Sequence, residues 1–141
     1  ATSTMIVTSS EFFSEKELAC SHCGISAMDR EFLNLLDTLR SEFGPMMVSS
    51  GYRCPEHPIE KNKANGPGAH STGKAVDIAV ERLDAYRLLS IVFSKPKRFI
   101  SGGVPEARPD FTGIGINQKG NARFIHLDII TEGFRPTVWS Y

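Results

Sequence analysis

Apolar residues recur along this chain with two periods, and the change of period marks its elements. Across residues 29–43, Phe32, Leu35, Leu36, Leu39 and Phe43 fall at helical spacing before Gly44-Pro45 stops the run. Residues 82–93 repeat that spacing through Ala85, Leu88, Leu89 and Val92. Near the N-terminus, Ser14-Glu15-Lys16-Glu17 has the form of a capping box opening a short helix. Elsewhere the period falls to two. Residues 75–80 send Val76, Ile78 and Val80 to one face and Ala75, Asp77 and Ala79 to the other. Residues 124–130 do the same, with Ile125, Leu127 and Ile129 opposite Phe124, His126, Asp128 and Ile130. Residues 112–117 put Ile114 and Ile116 inward and leave Gly113 and Gly115 where a substrate or a neighbouring backbone would approach closely. Residues 46–50 read as one more strand. The order of helices, then strands with a helix between, predicts an α+β fold with a small antiparallel sheet packed against helices. Residues 55–68 read as an irregular loop, and residues 101–111, with two glycines and two prolines, as a surface loop beside a cleft that contributes to substrate choice.

The strand faces opposite the core carry the chemistry. Asp77 is flanked there by small side chains that leave room for an ion, His126 and Asp128 share a face, and His70 precedes the Asp77 strand. Imidazole and carboxylate suit zinc, and a catalytic zinc takes three protein ligands and keeps a fourth position open. His70, Asp77 and His126 supply three. Taken singly, each has a plainer reading: a satisfied histidine, or an aspartate ending a strand in a polar contact. No Gly-x-Ser-x-Gly elbow, Walker loop or dinucleotide fingerprint supports a rival chemistry.

Three ordered blocks resemble one family. Gly68-Ala69-His70-Ser71-Thr72-Gly73-Lys74-Ala75-Val76-Asp77-Ile78 is similar to the Ser-x-His-x-x-Gly-x-Ala-x-Asp signature of the zinc D-Ala-D-Ala carboxypeptidase and murein endopeptidase family, which shares its fold with the hedgehog signalling domain. Ser49-Ser50-Gly51-Tyr52-Arg53-Cys54-Pro55-Glu56-His57 resembles the family's Ser-Gly-Tyr-Arg-x-Pro-x-His block, and residues 124–128 its Phe-Val/Ile-His-x-Asp block. The resemblance spans residues 13–139. It implies a hedgehog/DD-peptidase-like fold, zinc held by His70, Asp77 and His126, and Arg53 holding a substrate carboxylate or carbonyl, a task that suits the planar guanidinium fork. A structural salt bridge is the competing role for Arg53.

Two positions depart from the family's pattern. Gly68 stands where the signature has serine, removing a hydroxyl that would brace the ligand loop. Arg123 stands where many relatives carry their acid, three residues before the last histidine. In the most similar branch the acid follows that histidine by two, which makes Asp128 the expected general base, with Glu56 or Glu106 as the fallback.

Composition narrows the class without changing it. The 141 residues hold 16 Lys plus Arg against 16 Asp plus Glu, so the net charge is zero and no electrostatic footprint for nucleic acid is present. There is no apolar run of ~18 residues for a membrane span and no basic-then-apolar leader, so no signal peptide is read in this chain. The expectation is one zinc peptidase catalytic domain over residues 1–141, a monomer, with a Cys-containing N-terminal subregion at 13–25. Its expected substrates are peptidoglycan stem or cross-link peptides, cut by carboxypeptidase or endopeptidase action at the cell wall. Either a host remodelling enzyme in the periplasm or envelope or a phage-derived lysin or tail component would fit. A zinc-containing binding or structural module without turnover is the alternative.

Three cysteines leave a second question open. Cys20-Ser21-His22-Cys23 and Cys54-Pro55-Glu56-His57 offer Cys-x-x-Cys and Cys-x-x-His, the spacing of a structural zinc site made of Cys20, Cys23, Cys54 and His57. One disulfide with a leftover thiol, or three reduced thiols, are the other readings, and His22 reads as a solvated loop residue.

Overall fold

The structure is a computed structural model that describes residues 5–64, 68–94, 97–101, 104–108 and 110–141. Its long helix, α2 (Arg30–Phe43), starts where the sequence predicts because Asp29 caps it, the carboxylate accepting from the Phe32 N–H at 3.1 Å. It ends at Gly44, whose φ of 104° suits glycine and whose N–H reaches the Arg40 carbonyl at 2.8 Å. Phe32, Leu33, Leu36, Leu39 and Phe43 form its buried stripe, with Leu35 packed at the edge. The short α1 (Glu15–Leu18) carries both halves of the capping box and buries Leu18. Two short strands, β1 (Ile6–Val7) and β2 (Met28–Asp29), pair antiparallel ahead of α2.

The main sheet has five strands: β3 (Val48–Ser50), β4 (Ala75–Ile78), β7 (Gly113–Asn117), β8 (Phe124–Asp128) and β9 (Thr137–Ser140), in the order β3-β4-β8-β7-β9. The first four are antiparallel to their neighbours, and β9 adds a parallel edge beside β7. Val76, Ile78, Ile114, Ile125 and Leu127 face one core shared with the α2 stripe and with Ala85 and Leu88 of α4 (Arg82–Phe93). The apolar alternation thus seats the sheet on the helices and turns its other face outward.

Two expected loops contain regular structure. Within residues 55–68, α3 (Pro58–Lys61) begins with Pro58 in its first turn and His57 as cap. Residues 65–67 lie outside the described residues. The segment expected as a loop at 101–111 belongs largely to an antiparallel hairpin, β5 (Lys97–Ser101) with β6 (Val104–Arg108). Its prolines suggest a break, yet a two-stranded ladder consists only of edges, where proline is tolerated. Among the described residues no helix is long and apolar enough to cross a membrane.

Candidate metal centre

The outward face of the sheet is organised by register. Asp77 pairs with His126, His126 with Gly115, and Gly115 with Trp139, so these four residues form one row across β4, β8, β7 and β9. The next row runs Ala75, Asp128, Gly113, Thr137. Small residues alternate with the functional ones because the space is taken. A Cβ on Gly115 would stand 2.8 Å from the Trp139 indole, and one on Gly113 would meet the Asp128 carboxylate. The sequence reading of these glycines is corrected accordingly: side chains of the same sheet, rather than a substrate or a backbone, occupy the room they leave.

His70 arrives from a 3-10 turn (Ala69–Thr72) just before β4. Its Nδ1 lies 2.9 Å from the Gly51 carbonyl, which can only accept, so Nδ1 donates there and Nε2 is left facing Asp77. That Nε2 is 3.3 Å from Asp77 Oδ1. On His126, Nε2 faces Asp128 Oδ2 at 2.7 Å, and Nδ1 faces the same Asp77 oxygen at 2.9 Å. Each imidazole is therefore held by its outer nitrogen and turns the inner one toward Asp77. All three residues are buried, and one donor atom from each lies within 4.8 Å of the others.

These dimensions fit zinc. Bonds of about 2.05 Å to nitrogen and oxygen give a tetrahedral edge of about 3.3 Å. The His70–Asp77 separation matches it, and the His126–Asp77 separation is shorter by a few tenths. Burial pushes the Asp77 carboxyl upward, but hydrogen bonds from His126 and His70 outweigh it and hold the group well below the ordinary carboxylate range. Asp77 thus keeps its charge where a cation would sit.

A sequence comparison decides the family. The model of Peptidase M15 matches residues 10–128, which include all three donors. The chain belongs to the Peptidase M15 family. Its cofactor is zinc, its activity that of a metallopeptidase, and its substrate class peptides. No curated protein and no solved structure gives a significant match.

In this M15 peptidase a cleft of about 340 Å³ opens beside the donors, lined by Ser50, Gly51, Tyr52, Arg53, Asp77 and Phe124 among others. Arg53 reaches toward Asp77 Oδ2 at 3.9 Å with one terminal nitrogen and toward Glu60 Oε2 at 3.4 Å with the other. Its Nε is buried without a hydrogen-bond partner among the described residues. The competing role, an ion pair, is thus formed with Glu60.

Glu60 was not legible as a site residue. It is fully buried, accepts from the Gly68 N–H at 2.7 Å, and pairs with Lys63 at 3.0 Å. Burial would raise its pKa, yet the Gly68 N–H, Lys63 and Arg53 together lower it. Glu60 braces the ligand loop at the position where the family's serine is missing. A Cβ at Gly68 would stand 2.7 Å from Lys63 Nζ, so glycine and the Glu60–Lys63 pair are mutually adapted.

Asp128, the expected general base, sits beside the Nε2 edge of His126. It is completely buried, and Oδ2 is 2.7 Å from both His126 Nε2 and Arg135 Nη2. Oδ1 accepts from Arg135 Nε at 3.1 Å and from the Ile130 N–H at 3.2 Å. The carboxylate thus contacts the edge of the imidazole turned away from Asp77, with four donors already upon it. Burial pushes Asp128 up, and His126 and Arg135 more than reverse this. Burial pushes His126 down, and the Asp128 and Asp77 carboxylates more than reverse it. Arg135 also lies over the Trp139 ring at 4.7 Å, and Trp139 packs on His126 at 5.2 Å between centroids. Both residues belong to the site and escaped the sequence reading, although the alternation of Val138, Trp139 and Ser140 signals a strand. Of the fallback acids, Glu56 is exposed and 3.9 Å from Lys61, while the Glu106 side chain lies outside the described residues. Arg123 donates to the Gly120 carbonyl at 3.0 Å.

The cysteines converge as the spacing suggested. Cys20, Cys23 and Cys54 are free, and their sulfurs lie within 4.8 Å of one another. His57 does not join them: Nδ1 accepts from the Ile59 N–H at 3.1 Å, and Nε2 lies 3.1 Å from the Ser21 hydroxyl. His22 approaches instead, with Nδ1 3.5 Å from Cys54 Sγ.

Proposed function

We propose that this M15 peptidase hydrolyses peptide bonds in the stem or cross-link peptides of bacterial peptidoglycan, and so acts at the cell wall. Host remodelling enzymes and phage-derived lysins or tail components both meet such a substrate. The reading rests on one observation above the rest: three buried donors of the right chemistry converge beside an open cleft that Arg53 also lines, each imidazole fixed from behind.

His70 Nε2, Asp77 and His126 Nδ1 would hold the metal. Zinc, when bound, polarises the scissile carbonyl and makes water a better nucleophile near neutral pH. Arg53 receives the carboxylate or a peptide carbonyl of the substrate and fixes where the chain lies relative to the donors. Asp128 orients His126 by accepting a charge-assisted hydrogen bond from its Nε2–H, and Arg135 keeps that carboxylate ionised. Trp139 covers one side of His126 and excludes water from it.

The placement of Asp128 also favours a second reading, a zinc-containing binding module without turnover, because that carboxylate is fully engaged away from the donors. Incubation with defined muropeptides, followed by mass spectrometry of the products, separates the two. New termini that depend on zinc and on His126 support the peptidase. Intact muropeptides that nevertheless bind, with zinc present, support the module.

A further inference from the structure

We propose that Cys20, Cys23, Cys54 and His22 bind a second zinc ion, a structural one that ties the N-terminal segment to the Arg53 loop. Cys20 and Cys54 come from segments 34 residues apart, and their sulfurs stand 3.7 Å apart. Zinc–sulfur bonds of about 2.3 Å at tetrahedral angles put neighbouring sulfurs about 3.8 Å apart, and a sulfur and an imidazole nitrogen about 3.6 Å apart. The Cys20–Cys54 edge matches the first figure and the 3.5 Å Cys54–His22 edge the second. A disulfide requires sulfurs at about 2.05 Å.

The backbone around Cys20 is arranged for a thiolate. The N–H groups of His22 and Cys54 point at its sulfur at 3.4 and 3.3 Å. Such donors favour the charged form, the one that binds metal. A tight turn brings Cys23 back beside Cys20: the Gly24 N–H reaches the Cys20 carbonyl at 2.8 Å, and the Cys20 N–H reaches the Ile25 carbonyl at 2.8 Å. The three sulfurs lie within 4.8 Å of one another and His22 stands next to Cys54, so a turn of its imidazole toward the other two sulfurs would complete a closed structural set. His22 supplies the histidine because both nitrogens of His57 are occupied in capping α3 and meeting Ser21. The site has a functional address, since Cys54 directly follows Arg53 and the Tyr52 N–H is bonded to the Leu18 carbonyl at 2.9 Å.

The test counts metal on the full chain and does not depend on catalysis. Reduced, zinc-replete protein should hold two zinc ions, and C23S and H126A one each. Cobalt-substituted wild type and H126A should both show intense thiolate-to-cobalt charge-transfer absorption, which His70, Asp77 and His126 cannot produce. H22A should lose the second ion to a chelator more readily than wild type, whereas H57A should match wild type. One zinc per reduced wild-type chain, or a cobalt protein without the thiolate band, overturns the proposal. So does greater release from H57A than from H22A, which removes His22 from the ligand set, or a Cys20–Cys54 disulfide in zinc-replete protein isolated without reductant. The spectrum is read on wild type, so misfolding of C23S does not shelter the idea.

Discussion

Replacing Asp128 separates a proton acceptor from a positioning carboxylate. Asp128 accepts from His126, twice from Arg135, and from Ile130. Asp128→Asn keeps the shape, and its amide oxygen can still accept from His126. The amide NH2 then faces Arg135, a donor against a donor. Breaking a buried ion pair on one side costs about 3–5 kcal/mol, but the Arg135 side chain is 20% exposed and can turn to solvent, so about 2 kcal/mol is expected in denaturant unfolding. Outer partners of a metal-bound histidine typically contribute 10–100-fold in affinity. A neutral acceptor remains in Asp128→Asn, so zinc affinity should fall about tenfold; Asp128→Ala, with no acceptor, should approach a hundredfold. The assay is zinc competition against a chromophoric chelator, paired with peptide turnover at saturating zinc, where the Asn variant should recover most of its rate. A general base is worth about 10²–10⁴-fold in rate and nothing in metal affinity. Wild-type zinc affinity with a hundredfold rate loss at saturating zinc would refute this reasoning and restore Asp128 as base.

Arg53→Lys keeps the charge opposite Glu60 but loses the planar fork; kcat/KM on a cleavable peptide should fall about 10–100-fold with zinc content unchanged, and unchanged kinetics remove Arg53 from substrate binding. Gly115→Ala puts a methyl 2.8 Å from the Trp139 indole, so unfolding should show a loss of about 1–3 kcal/mol and Trp139 fluorescence should shift; a neutral outcome would mean that β9 yields freely. Protons compete for His126, whose pKa is raised by Asp128 and Asp77 against burial, so zinc affinity at this site should weaken from mildly alkaline to mildly acidic buffer. Chelator titrations across that range that show no change would remove the imidazole from the ligand set.

The donors were legible because each lies in a pattern with physical content. Asp77 and His126 interrupt period-two strands on the face away from the core, and His70 sits in a glycine-flanked turn just before one of them. The helices were legible from spacing and caps, as at Asp29 and Gly44. What failed was whatever depends on which strands become neighbours. Gly113 and Gly115 announce close approach but not by what, because Asp128 and Trp139 reach them only through the β8 and β9 registers. Asp128 shares a face with His126 in any strand, yet the side of the imidazole it meets depends on the ring's rotation and on Arg135, seven residues away across a loop. Glu60 is charged, lies between Ile59 and Lys61 and is completely buried, a combination that local sequence does not signal. His22, expected in solvent, stands beside Cys54, and the cap on α3 takes His57 away from the cysteines.

The substrate-side and metal-side groups are also mechanically joined. The Arg53 N–H donates to the His70 carbonyl at 3.2 Å, and the Ser71 hydroxyl donates to the Arg53 carbonyl at 2.7 Å. The Gly51 carbonyl fixes the His70 ring, and Glu60 contacts both Arg53 and the Gly68 N–H. The segment 51–53 and the turn at 69–72 are therefore tied together by three hydrogen bonds. Such coupling would hold the spacing between Arg53 and the donors constant, as the proposed binding of a substrate carboxylate or carbonyl by Arg53 requires. Loosening the loop at Cys54 or Glu60 would then act on both zinc and substrate, whereas Arg53→Lys would act on substrate alone.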